Sequence, residues 1–174
     1  SERALREGMK LRNFREMRQK AQEILGLTNP DIYGIYASFQ QLTGVEDPVR
    51  DRLIQLEFET ELEVLIARKE MIEVYQYALQ QEKRVYIVSD MYLTENMMEM
   101  LLKQFGLTGY EGLLISCEYK KLKMQGLFRE LSNQEAGRSI LHIGDHEVYD
   151  GVCPNECGID SFLICTPWEL VQRS

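Results

Sequence analysis

The side chains with the most chemistry in them stand close together in the run LHIGDHEVYD, residues 141–150. The apolar residues Ile140, Leu141 and Ile143 predict a short buried strand that stops at Gly144. Asp145 then projects from the strand's carboxyl end, where open α/β sheets take their ligands. Asp150 follows at the predicted start of a helix, so the turn between strand and helix can bring both carboxylates to one mouth. Hard carboxylate oxygens converging on a sheet edge suit Mg²⁺, which takes few protein ligands and leaves its other positions to water and phosphate.

Two further strand ends carry complementary groups. Residues 85–89 read as a buried strand ending in the Ser89 hydroxyl, with Asp90 next and a helix opening near Thr94. Residues 113–116 read as a third strand, followed by a loop that carries Lys120, Lys121 and Lys123. A hydroxyl donor, a lysine charge and a pair of aspartates, each just past a strand end, make a set suited to a phosphoryl group.

The elements that must position this set fall into an all-helical half and an alternating half. Leu5, Met9, Phe14, Met17, Ala21, Ile24 and Leu25 recur at helical spacing, with Gly26 where a C-terminal cap belongs. Asn29-Pro30 predicts the start of a second helix, closed by Gly44, and Asp47-Pro48 the start of a third with apolar residues on two faces. A fourth helix carries Met71, Val74, Tyr75, Ala78 and Leu79 as one stripe. Past residues 80–84 strands alternate with helices, ending in a strand over 161–164, and no hairpin turn intervenes. That pattern predicts an α/β fold with a parallel sheet and helices on both faces.

The fragments VSDMYL, SCEYKKLK and HIGDHEVYD resemble the haloacid dehalogenase (HAD) superfamily of phosphohydrolases, in the branch of predicted hydrolases found beside or fused to glycosyltransferases. The likeness covers about residues 83–165. In it Ser89 matches the second motif, Lys123 the third (KMQGLF resembles Lys-x-x-Gly before a helix), and Gly144-Asp145 with Asp150 the fourth. The resemblance implies a Rossmannoid core over 82–174, a helical cap over 1–81, Mg²⁺ as cofactor and a small phosphorylated metabolite as substrate. It implies these roles: Ser89 binding a phosphoryl oxygen, Lys123 balancing charge, Asp145 ligating metal, and Asp150 supporting the metal shell. Asp90 and His146 would contact substrate or cap, and a glycosyltransferase is a possible fused or associated partner. The superfamily's first motif, Asp-x-Asp on the first strand, has no counterpart in these residues. That strand would lie between the Ser89 strand and the Ile140 strand. The expectation is therefore a fragment that begins just after the nucleophile strand and is inactive alone. The alternative is a non-catalytic HAD-fold interaction or regulatory module.

Composition sets outer bounds. A chain of 174 residues, 44% hydrophobic and 28% charged, suffices for one sizeable core, or a core with a lid. A net charge of −8 argues against nucleic acid as the main partner. No apolar run reaches membrane-span length and no signal peptide opens the chain. The four cysteines lack a paired zinc pattern, so the expectation is free thiols in a reducing cytoplasm. Other residues read more plainly: His142 as a satisfied core histidine, Met97, Met98 and Met100 as core filling. Glu57, Glu59, Glu61 and Glu63, spaced by two, are sent to different faces of a helix and read as solvated.

Overall fold

The computed structural model describes residues 13–165. Four helices come first: α1 (Phe14–Leu25), α2 (Ile32–Thr43), α3 (Asp47–Val64) and α4 (Lys69–Gln80). Gly26 and Gly44 cap α1 and α2 at positive φ, each with its N–H returned to the helix it closes. The cap that opens α2 is Asp31, whose carboxylate accepts from the Gly34 N–H, and not the expected Asn29. Asn29, two residues earlier, lies in the left-handed region with φ 51° and does not cap the helix. Similarly, Asp47 is already inside α3, and Glu46 precedes it with extended backbone.

The chain then alternates through β1 (Tyr86–Ser89), α5 (Glu95–Gln104), β2 (Gly112–Ile115), α6 (Ser116–Tyr119) and α7 (Leu127–Gln134). It ends in β3 (Leu141–Gly144), a π-helical turn (Glu147–Val152), α8 (Cys153–Asn155) and β4 (Asp160–Leu163). Every strand pairing is parallel: β1 with β2, from Tyr86↔Gly112 to Ser89↔Ile115, and β3 with β4, from Leu141↔Asp160 to Gly144↔Leu163. Instead of one continuous sheet, the described residues form two separate two-stranded ladders. Among the described residues β1 and β3 are not hydrogen-bonded to each other, and each has one strand partner.

One apolar core runs from the helical half into the alternating half. Ile32, Ile35, Tyr36 and Phe39 of α2 are fully buried in the same cluster as Leu93, Met98 and Leu102 around α5 and Ile115 of β2. The β1–α5 loop is tied to the helices as well, by Ile32 N–H to the Tyr92 carbonyl at 2.7 Å. A second cluster, with Leu127, Phe128 and Leu131 of α7 at its centre, packs Val88 of β1 and Ile140 before β3 around Leu114 and Ile159. Its Phe128 ring touches the candidate site, lying against Lys123 and His142.

The glutamates of α3 depart from the solvated reading. Glu57 receives Arg18 through two N–H donors, at 3.0 and 2.6 Å, and the Tyr36 hydroxyl at 2.5 Å. Tyr92 reaches Glu61 at 3.2 Å, and the Arg18 guanidinium lies over the Tyr36 and Tyr92 rings. Spacing by two does separate these glutamates on the helix; the Arg18 side chain of α1 reaches Glu57 all the same, beside Tyr36 of α2.

Candidate functional site

Three segments past strand ends meet around Asp150. The strand β3 ends at Gly144, and the π-helical turn folds Asp150 back beneath that glycine. A Cβ on Gly144 would lie 2.3 Å from Asp150 Cγ and 2.5 Å from its Cβ, so the side chain fits only because position 144 has none. The Asp150 carboxylate is saturated. Its Oδ2 accepts the backbone N–H groups of Asp145 at 3.2 Å and His146 at 3.0 Å, and its Oδ1 meets Lys123 Nζ at 2.6 Å and His142 Nε2 at 2.9 Å.

Burial of Asp150 by itself would raise its pKa. Hydrogen bonds from His142 and Lys123, the Lys123 charge and the His146 N–H outweigh it and hold the carboxyl well below the usual carboxylate range. The side chains of Lys123 and Asp150 are 13% and 8% exposed. The Lys123 ammonium also lies 5.9 Å above the Phe128 ring, and the His142 ring packs edge-on against that ring with centroids 4.7 Å apart.

The β1 end reaches the same place through Asp90, whose Oδ1 accepts the Lys123 backbone N–H at 2.9 Å. Partial burial pushes the Asp90 carboxyl up, opposed by the Lys123 N–H and charge and reinforced by the negative charge of Asp150. Asp90, Lys123, Asp150 and His142 are thus linked in one chain of contacts. Ser89 is half-buried at the end of β1, beside Asp90, and its hydroxyl has no partner among the described residues. Asp145 is exposed, joined to Asp150 through its backbone N–H and not its carboxylate. His146 uses Nδ1 to accept the N–H groups of Val148 and Tyr149, each at 3.2 Å, and stacks on Tyr149 at 4.2 Å. Its nitrogen caps the π-helical turn.

Of the three neighbouring lysines, Lys123 is the one at the site: Lys120 Nζ turns to the Asn29 carbonyl at 3.3 Å, and Lys121 pairs with Glu130. His142, read from sequence as a core histidine, belongs to the site. The signal was available, since His142 precedes Gly144 by two in a strand and so shares the face beneath which Asp150 folds.

Mg²⁺ fits these residues only in part. Asp150 has both oxygens taken, and among the described residues no three His, Cys, Asp or Glu side chains are grouped to hold a metal ion. Asp145 offers one open carboxylate, so further ligands would have to come from outside this set. What the arrangement can do unaided is hold a fixed ammonium, a hydroxyl and an open carboxylate at the carboxyl ends of β1 and β3.

Among solved structures, a hydrolase from Streptococcus pneumoniae TIGR4 has a similar fold, with a TM-score of 0.52 over 99% of this chain and 84% of that chain, at 14% sequence identity. No protein-family model matches the chain, and no curated protein does. No helix among the described residues is long and apolar enough to cross a membrane.

Proposed function

We propose that this chain is the phosphoryl-binding part of a HAD-like phosphohydrolase that acts on a small phosphorylated metabolite. The observation that carries the reading is the Lys123–Asp150 pair, joined through Asp90 to the end of β1. Lys123 supplies positive charge to a phosphoryl oxygen, and Asp150, saturated by four donors, keeps the ammonium from swinging away. The Ser89 hydroxyl donates to a second oxygen. Asp90 acts on the lysine's backbone and holds the loop in register with β1. The resemblance to a hydrolase fold agrees with this reading at the level of fold.

The nucleophile is the part these residues do not provide. In this proposal an aspartate arrives on a strand seated between β1 and β3, each of which is paired on one side only among the described residues. Parallel pairing on both sides would satisfy backbone groups that otherwise depend on water. Mg²⁺, with Asp145 as one ligand and the arriving carboxylates as others, would neutralise charge on the phosphoryl oxygens.

The test is to supply a strand peptide ending Asp-x-Asp in trans and assay p-nitrophenyl phosphate with Mg²⁺. Turnover that is lost in Lys123→Ala supports the reading. Inactivity of the folded, completed protein across a broad phosphate-ester panel would move the assignment to a second reading, a non-catalytic HAD-fold interaction module. The saturated Asp150 is the observation that favours it.

A further inference from the structure

We infer that His142 is a positioning residue of this site: by occupying one lone-pair direction of Asp150 Oδ1, it leaves Lys123 a single seat on that oxygen and so fixes where the ammonium points. The inference rests on the reading of Lys123 as the phosphoryl-binding charge. Two observations and the acceptor geometry of a carboxylate carry it. Lys123 Nζ and His142 Nε2 converge on the same atom, at 2.6 and 2.9 Å, while the other oxygen is held by two backbone N–H groups. A carboxylate oxygen has about two acceptor directions, so Oδ1 is full and the ammonium has no second place to sit. The fully buried Phe128 bounds both donors on one side, with its ring edge-on to His142 at 4.7 Å and 5.9 Å from Lys123 Nζ.

Sharing also sets how much charge remains for a ligand. With His142 donating, Asp150 divides its negative charge between two partners; without it, the whole charge falls on Lys123 and an incoming anion meets a better-neutralised ammonium. His142 touches no reacting atom in this scheme. It acts through Asp150.

The experiment compares wild type with His142→Phe, which keeps a flat ring against Phe128 but donates nothing, and His142→Gln, which restores an N–H near the place of Nε2. The probe is inorganic phosphate titrated into the full 174-residue chain, followed by NMR shifts at Ser89 and Lys123, with Lys123→Met as the control. The expected result is binding about tenfold weaker in the Phe variant, the equivalent of one lost hydrogen bond to a charged group, and near wild type in the Gln variant. Equal affinity in wild type and the Phe variant, with binding lost in Lys123→Met, overturns the positioning role and leaves the phosphoryl reading intact. If wild type and Lys123→Met bind phosphate alike, the phosphoryl reading fails, and thermal melting then judges the contact itself. A melting temperature lowered by several degrees in the Phe variant and recovered in the Gln variant upholds His142 as the donor that holds Asp150. A Phe variant that melts with wild type shows a ring that only packs, and overturns it.

Discussion

Two buried carboxylates sit at opposite ends of the strands, and they are built almost alike. Glu135, just past α7 near the amino end of β1, has a side chain 5% exposed and takes Arg84 at 3.0 Å, Arg138 at 3.3 Å and the Tyr86 hydroxyl. Asp150, past the carboxyl end of β3, has a side chain 8% exposed and takes Lys123, His142 and two backbone N–H groups. By burial and pairing alone the two are hard to rank. They differ in what surrounds them: the arginines that meet Glu135 are 39% and 61% exposed and can turn to water, whereas Lys123 and His142 are each 13% exposed. An ion pair that can rehydrate acts as a clasp between elements. One that cannot, placed where strand ends leave an open hydroxyl and an open carboxylate, has the makings of a site.

The largest expected effect breaks this comparison most directly. Asp150→Ala leaves the Lys123 ammonium enclosed without its counter-charge and should cost about 3 kcal/mol or more of stability. Glu135→Ala frees arginines that already face solvent and should cost about 1 to 2 kcal/mol. Urea denaturation of both variants at neutral pH measures the difference, and equal costs would mean that the two carboxylates are structural equivalents.

Gly144→Ala comes next. The added methyl would lie 2.3 Å from Asp150 Cγ, so either the aspartate or the end of β3 must move, at a cost of about 1 to 3 kcal/mol for overpacking. Because the displaced group is Asp150, NMR shifts should spread to Lys123 and His142. A variant with wild-type stability and unchanged resonances at those residues would show the turn to be more yielding than this packing implies.

A smaller effect is carried by acid. The Asp150 carboxyl is held below its ordinary value of 3.8, so its contribution to stability is present in full above that value and is lost as pH falls through the lower folded value. Asp90 works in the opposite sense. Its carboxyl is raised by burial, so its ionisation penalises the fold above the ordinary range and the penalty disappears as pH falls. Unfolding measured from neutral pH to below the carboxylate range should show Asp150→Asn losing part of the acid-dependent slope of wild type. An unchanged slope in that variant would remove Asp150 from the groups that govern acid stability.

Much of this was legible in the sequence, and the exceptions share a cause. Strands ending at Ser89 and Gly144, the caps at Gly26 and Gly44, and the parallel pairing follow from apolar runs, glycine positions and the absence of hairpin turns. Lys123 is singled out among its neighbours only by the resemblance of KMQGLF to the superfamily's Lys-x-x-Gly pattern, and that lysine meets Asp150. Glu57 was misread because its partner Arg18 lies 39 residues away on α1, a contact that no helical spacing within α3 can reveal. Asn29 reads as the cap of α2 because Asn before Pro is a strong local start signal. The backbone at Asn29 instead turns left-handed while its side chain reaches Gln125, 96 residues on, at 2.8 Å. His142 reads as a satisfied core histidine, and a satisfied histidine it is. Its spacing of two from Gly144 puts it on the right face, but that Asp150 is its partner depends on the π-helical turn that folds the Asp150 side chain back under Gly144.

The smallest expected effect sharpens the comparison to a single charge two residues away. Lys121 also forms an ion pair, with Glu130, but its side chain is 46% exposed and that of Glu130 32%. An exposed pair gains little in high dielectric and loses side-chain freedom to hold one geometry, so Lys121→Ala should change stability by less than about 0.5 kcal/mol. Its charge is directed to Glu130 on α7 and away from Asp150, so phosphate affinity should also stay at the wild-type value in the titration that reports on Lys123. Lys123→Ala, by contrast, removes the ammonium from Asp150 and should abolish phosphate binding while leaving the carboxylate with His142 and two amides. A loss of phosphate affinity in Lys121→Ala comparable to that in Lys123→Ala would mean that the anion responds to the summed positive charge of the loop, and that the fixed seat on Asp150 confers no selectivity.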